Sequence, residues 1–274
     1  MPEEPKVRPP LDLSSVFAKL DRAEEHFHAV HREISEWQNL NRYETFSERG
    51  VQTARVGIGV QRVGPPPDLI RWSVIIGDCV NNLRSSLDHL IYAIAKYQAA
   101  HDLTAKIDNL AFVIADTPDE FKNAKARLKV FTPAFVELVE SFQPYKRPHP
   151  ALRPLLAILR DLSNADKHRL LQVAGAGVAD FKAIVTQNAE AGTKIPYINP
   201  NPIKGNDVVC VVESSESDPS LAFHSVAVRI EVAIWHGRRS PDDPPNFART
   251  AYEVLLQFLI NEVRYVIDTF KMIL

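Results

Sequence analysis

The chain has 274 residues, 45% hydrophobic and 24% charged, enough apolar material for a sizeable core in one large domain or a helical domain with an inserted sheet. A formal charge of -2 excludes any global pull toward nucleic acid or anionic membrane, so such a partner needs a local basic patch. Two cysteines, Cys79 and Cys210, with no C-x-x-C pair argue against a disulfide framework, and no run of about 18 apolar residues is present to span a bilayer.

The opening MPEEPKVRPPLDL is acidic and proline-rich where a secretory signal is basic and then apolar. A cytoplasmic protein is expected, loose over 1–12 and a single domain over 13–274. In 13–40, Val16, Leu20, Ala23, Phe27, Val30, Ile34 and Trp37 recur at three- and four-residue spacing, which predicts a long amphipathic helix capped by Ser14 or Ser15. His26, His28 and His31 on it read as solvated helix histidines rather than metal ligands. Residues 43–63, rich in Thr, Val, Ile and Tyr with Gly50 between two runs, predict a β-hairpin. Pro65, Pro66 and Pro67 end it, and Asp68 opens a second long helix reaching about residue 99.

A short extended piece, LAFVIAD, precedes two short helices near 118–129 and 133–141. A proline-punctuated connector, SFQPYKRPHPALRP, then leads into a helix over about 150–162 or a little beyond. Residues 170–236 are β-branched and alternating in places, which predicts strands. A final helix over 246–274 has Leu255, Phe258, Leu259, Val263, Val266, Ile267 and Phe270 as its apolar stripe. The expected fold is α+β: about four major helices (helical parts about 13–40, 68–169 and 246–274) packed with an antiparallel β-sheet formed by the early hairpin and later strands (43–63 and 170–236).

The segment GDCVNNLRSSLDH, 77–89, stands out. At 100° per residue Ile76, Cys79, Val80, Leu83, Leu87, Leu90, Ile91 and Ile94 form one core face, and Asp78, Asn81, Asn82, Arg84, Ser85, Asp88 and His89 fill the other arc. Asp78, Asn82, Ser85 and His89 fall nearly in line. A free helix surface favours long, good helix formers, whereas Asp, Asn, Ser and His each cost a few tenths of a kcal/mol relative to Ala. Short polar side chains suit groups held close to another element, in a hydrogen-bonded network or a cleft; a plain solvated face is the alternative. A second polar constellation holds Asp161, Asn164, Asp166, Lys167, His168 and Arg169. Structurally, Asn164 or Asp166 can cap a turn and the three cations can sit at a helix C-terminus. Functionally, the cations can meet Asp78 and Asp88, or form an anion site beside Arg84 and His89.

GDCVNNLRSSLDHL followed by LSNADKHRLL resembles an uncharacterised bacterial protein family with the pattern G-D-x-x-H-N-L-R-S-x-L-D-H-L and a later N-x-D-K-H-R. The likeness takes in both motifs, their order and the FQPY connector, and so covers most of the chain. Asn81 departs from it, standing where a histidine is common. The R-S-S-L-D-H spacing of Arg84 and His89 is also similar to the R-x4-6-H motif of HEPN ribonuclease domains, helical bundles that commonly act as dimers. That resemblance implies metal-independent RNA cleavage, with His89 as general acid or base and Arg84 stabilising charge on phosphate oxygens. Lys167 and Arg169 would contact the RNA, and a homodimer would form. Ser85 departs from the polar Asn, Asp or His usual after that arginine.

Two rivals stay open. A metal-dependent hydrolase could draw on Asp78, His89, Asp161 and His168, although no compact ligand motif is present, and no metal or cofactor is expected. A non-catalytic binding or assembly protein would use the polar face as a structural network. Lys122, Lys125, Arg127 and Lys129 are read as a solvated face before an RNA patch. No P-loop, dinucleotide fingerprint or nucleophile elbow occurs.

Overall fold

A computed structural model describes residues 10–40, 42–49, 55–98, 110–147, 153–168, 171, 173–185, 194–198, 207–213, 223–235 and 249–273. The chain divides into two compact units, one of Met1–Val30, Ser73–Leu171 and Glu253–Leu274, the other of His31–Trp72 and Gln172–Tyr252.

The first unit is built of helices. Helix α1 (Ser14–Leu40) starts on Asp12, whose Oδ1 accepts from the Ser14 amide at 2.9 Å. Asp12, and not Ser14 or Ser15, thus satisfies an orphan amide of the first turn, and these bonds hold its carboxyl below the ordinary range. Val16, Leu20, Ala23 and Val30 are fully buried. In helix α2 (Leu69–Gln98) the whole stripe from Ile76 to Ile94 is fully buried. Buried Ser86 donates Oγ to the Val16 carbonyl at 2.9 Å, so even the polar residue inside this interface has a partner. Helices α3 (Pro118–Ala124) and α4 (Pro133–Ser141) each begin with proline behind a capping threonine, Thr117 and Thr132.

Helix α5 (Leu155–His168) runs through the polar run that the sequence places at a helix end, so Asn164 and Asp166 are helical residues and cap no turn. Helix α6 (Tyr252–Ile273) buries Leu255, Leu259, Val263, Val266, Ile267 and Phe270, and the Phe270 ring packs 5.1 Å from that of Phe135 and 5.8 Å from that of Phe142. Phe258, expected in that stripe, is 49% exposed, because it sits about 110° around the helix from the stripe's centre.

Residues 110–115 have no regular secondary structure and belong to no strand. Their backbone groups are met by side chains instead. Buried Gln143 receives the Ala115 amide on Oε1 at 2.8 Å and donates Nε2 to the Val113 carbonyl at 2.8 Å and the Val139 carbonyl at 2.9 Å. One side-chain amide here stands in for a neighbouring strand's peptide group.

In the second unit Asp68 caps the start of α2, accepting from the Arg71 amide at 3.1 Å. Arg71 in turn holds Glu33 through two bonds of 2.7 and 2.8 Å. The Trp37 and Trp72 rings meet edge to face at 5.4 Å. Strands β1 (Arg42–Arg49) and β2 (Arg55–Val63) pair antiparallel, and with β4 (Lys194–Ile198) and β5 (Asp207–Glu213) give the order β1-β2-β5-β4. Strands β3 (Val173–Val185), β6 (Phe223–Trp235) and β7 (Arg249–Ala251) form a separate set ordered β3-β6-β7. Gly50, at the expected hairpin turn, lies outside the described residues.

The expected fold class is therefore corrected. The described residues are mostly helical, with six α-helices, and among them the helix-built unit shows no strand against which a bundle could pack as an α+β layer. The paired stretches divide between two sets instead of forming one antiparallel sheet. The physical reason lies in residues 110–115 and 249–251. The first, though apolar and expected to be extended, takes side-chain partners, while the second, expected to be helical, pairs with β6 before α6 begins. Among the described residues no helix is long and apolar enough to cross a membrane.

Candidate functional site

The polar arc of α2 divides into two flanks with different surroundings. Taking Asp78 as the origin and 100° per residue, Asn81, Arg84 and Asp88 cluster within about 60° of one another, while Asp78, Asn82, Ser85 and His89 form the adjacent line. The first flank is engaged by α5 and by residues 112–116.

Asn81 is the centre of the α5 contact. Its Nδ2 donates to Asp166 Oδ2 at 2.6 Å and its Oδ1 accepts from Ser163 Oγ at 3.0 Å, so both ends of the amide are used. Gly77 makes the approach possible. A Cβ there would lie 2.2 Å from Asp166 Oδ1 and 2.6 Å from Cγ, closer than atoms can approach, so the carboxylate rests on bare helix backbone. Burial, with Asp78 nearby, pushes the Asp166 carboxyl up, and the Asn81 bond opposes this.

One turn on, Arg84 Nη2 donates to Asp88 Oδ1 at 2.9 Å and to the Phe112 carbonyl at 2.6 Å. Asp88 Oδ1 also accepts from the Phe112 amide at 2.8 Å. The pair therefore clamps both backbone groups of Phe112. The Arg84 side chain is only 16% exposed, and its Nη1 is buried with no hydrogen-bond partner. Burial lowers the Arg84 guanidinium's affinity for its proton and raises that of the Asp88 carboxyl; Arg84, the Phe112 amide, Lys167 and His89 pull Asp88 back.

Asp161 faces elsewhere on α5. It accepts from Arg153 Nη2 and, at 2.9 Å, from Arg160 Nε, while Arg160 Nη2 reaches Asp116 Oδ2 at 2.6 Å. Lys167 and Asn164 are exposed; the His168 side chain and all of Arg169 lie outside the described residues. The two segments meet through Asn81, Ser163 and Asp166.

The second flank is more open. Asp78 is exposed, and Asn82, Ser85 and His89 are half-buried. Asn82 donates Nδ2 to the Asp78 carbonyl at 2.8 Å and accepts from Lys19 Nζ at 3.4 Å. His26 of α1 feels Asp78, but burial and Arg22 hold its imidazole below the ordinary value. No group of three or more His, Cys, Asp or Glu side chains able to hold a metal ion occurs among the described residues.

Sequence reasoning left Asn81, Ser163, Arg160 and Gln143 out of the candidate site. The signal that could have found Asn81 is its angular grouping with Arg84 and Asp88. Chemically the first flank is a network of donors and acceptors in which Arg84 Nη1 alone of the buried side-chain N and O atoms among the described residues has no partner, and Ser85 and His89 are the half-buried polar groups beside it. Comparison with protein-family models, with curated proteins and with solved structures finds no match to the chain.

Proposed function

We propose that this chain is a non-catalytic binding or assembly protein in which the engaged flank of α2 is a structural network. The observation that carries this reading is the double use of Arg84 Nη2, bound at once to Asp88 Oδ1 and to the Phe112 carbonyl. A guanidinium that stabilises a phosphoryl transition state must offer donors toward the reacting phosphate. Arg84 Nη2 is held by the protein's own backbone and carboxylate and Nη1 is buried, so neither is presented to an outside phosphate, an arrangement that supports a clamp over an RNA-cleaving role.

The test is incubation of purified wild-type and His89→Ala proteins with structured and unstructured RNA, with and without chelator. No cleavage by either protein is expected. Cleavage by the wild type that His89→Ala abolishes while the fold is retained would overturn the proposal in favour of the ribonuclease reading. Arg84→Met, in contrast, should destabilise by about 2 kcal/mol, because it leaves Asp88 half-buried without its cation.

A further inference from the structure

The first unit holds a cavity of about 290 Å³ where the end of α4 and the start of α5 meet the middle of α6. Its apolar lining is Phe142, Pro154, Leu155, Leu156 and Phe258. Phe142 and Leu156 are buried and Leu155 is half-buried, while Phe258 is 49% exposed, so the cavity is open to solvent beside that ring. The other lining residues are charged: Arg147, Arg153 and Glu262. Among the described residues no uncharged polar side chain lines it.

Each of those charges already has its counterpart. Arg147 Nη1 donates to Glu262 Oε1 at 2.5 Å, and the same guanidinium lies 5.9 Å from the centre of the Phe142 ring and 5.5 Å from that of Tyr265. The Glu262 side chain is only 15% exposed, so Arg147 is the cation that keeps this carboxylate from standing uncompensated. Arg153 Nη2 donates to Asp161 Oδ2. A charged ligand head would leave water for a site whose ions are mutually satisfied. An ammonium would have to take Glu262 from Arg147, and a carboxylate would bring a second negative charge beside Glu262.

We propose that this cavity is a binding site for one uncharged, largely apolar small molecule, a compound of one or two rings with no ionised group. The volume lies at the lower end of the range of ligand cavities, about 300–1,000 Å³, which suits a small ring compound and excludes a peptide segment or a large cofactor. At about 30 Å³ each, on the order of ten waters would fill it. Facing four aliphatic or aromatic side chains and a proline, these waters find few partners, and their displacement by apolar groups favours binding. A ligand of this size should bind with a dissociation constant on the order of ten micromolar. The cavity shares no residue with the polar face of α2, and its role does not rest on the function proposed above.

The test uses two probes that differ by one sulfonate, uncharged N-phenyl-1-naphthylamine and anionic 8-anilinonaphthalene-1-sulfonate, titrated into the full chain by fluorescence. The uncharged probe should saturate at one per chain, and the anionic probe should bind at least about tenfold more weakly. Leu155→Trp, which fills the cavity, should weaken the uncharged probe by about tenfold or more, and Phe258→Asp, which puts a charge into the wall, should do the same. Glu262→Gln frees Arg147 and should strengthen the anionic probe severalfold while leaving the uncharged one within about twofold. Absence of saturable binding by the uncharged probe overturns the proposal, as does binding indifferent to both Leu155→Trp and Phe258→Asp. An anionic probe that binds as tightly as the uncharged one, or that ignores Glu262→Gln, overturns the assignment of an uncharged ligand. Far-UV circular dichroism checks each variant's fold, and if Leu155→Trp disturbs it, Phe258→Asp at its exposed position supplies the reading.

Discussion

Gly77→Ala is the substitution whose outcome depends most directly on the contact between α2 and α5. In an ordinary helix interior it stabilises by about 1 kcal/mol, because alanine loses less backbone entropy. Here the new Cβ would meet the Asp166 carboxylate at 2.2 to 2.8 Å, so the carboxylate must swing away and give up its 2.6 Å bond from Asn81. A hydrogen bond to a charged group contributes roughly 1.5–3 kcal/mol, reduced toward about 1 at a half-exposed site, and the stranded Asn81 amide adds to the loss. Gly77→Ala should therefore be neutral to about 1 kcal/mol destabilising in the wild type, yet about 1 kcal/mol stabilising when Asp166→Ala has already cleared the space. Equilibrium urea unfolding of the four proteins, with slopes compared as well as midpoints, measures the coupling. If Gly77→Ala stabilised both backgrounds equally, the close seat of Asp166 on α2 would be refuted.

The Asp166 carboxyl, raised by burial and by Asp78, also sets a pH dependence. A raised acid contributes stability that is fully present below the unfolded value of 3.8 and is lost as pH rises through the folded value. Asp166→Asn should therefore gain on the wild type between about pH 4 and pH 7, and a difference in unfolding free energy that stays flat over that window would contradict the assignment. Cys79 is fully buried, and burial pushes its thiol up to about 12. In a Cys210→Ser background the folded chain should resist iodoacetamide at mildly alkaline pH and react once unfolded, as read by mass; rapid labelling of the folded form would contradict its burial.

The sequence made legible what depends on helical period alone. Every residue assigned to the core face of α2, from Ile76 to Ile94, is buried, because a single amphipathic helix declares its inward face without reference to its partners. Of the polar side chains of 77–89, Asn81, Arg84 and Asp88 contact other elements, while Asp78, Asn82, Ser85 and His89, which the sequence puts nearly in line, form the more open flank. Which flank was engaged could not be read, since the partners Ser163 and Asp166 are 82 and 85 residues away from Asn81. Period also misled at Phe258, where an apolar residue near the stripe turned out to be exposed. That side chains would supply the hydrogen bonds of residues 110–115 was not legible, because propensity is silent about what supplies a segment's hydrogen bonds.

The way those residues are held has a mechanical consequence. Helices α2 and α5 are tied directly through Asn81, and again through 112–116, which Arg84 and Asp88 grip from α2 and Arg160 grips from α5 at Asp116. Two ties between the same two members close a loop, and a closed loop behaves as a truss. Cutting either tie leaves the other to carry the load, so the two helices should loosen in one step only when both ties are gone.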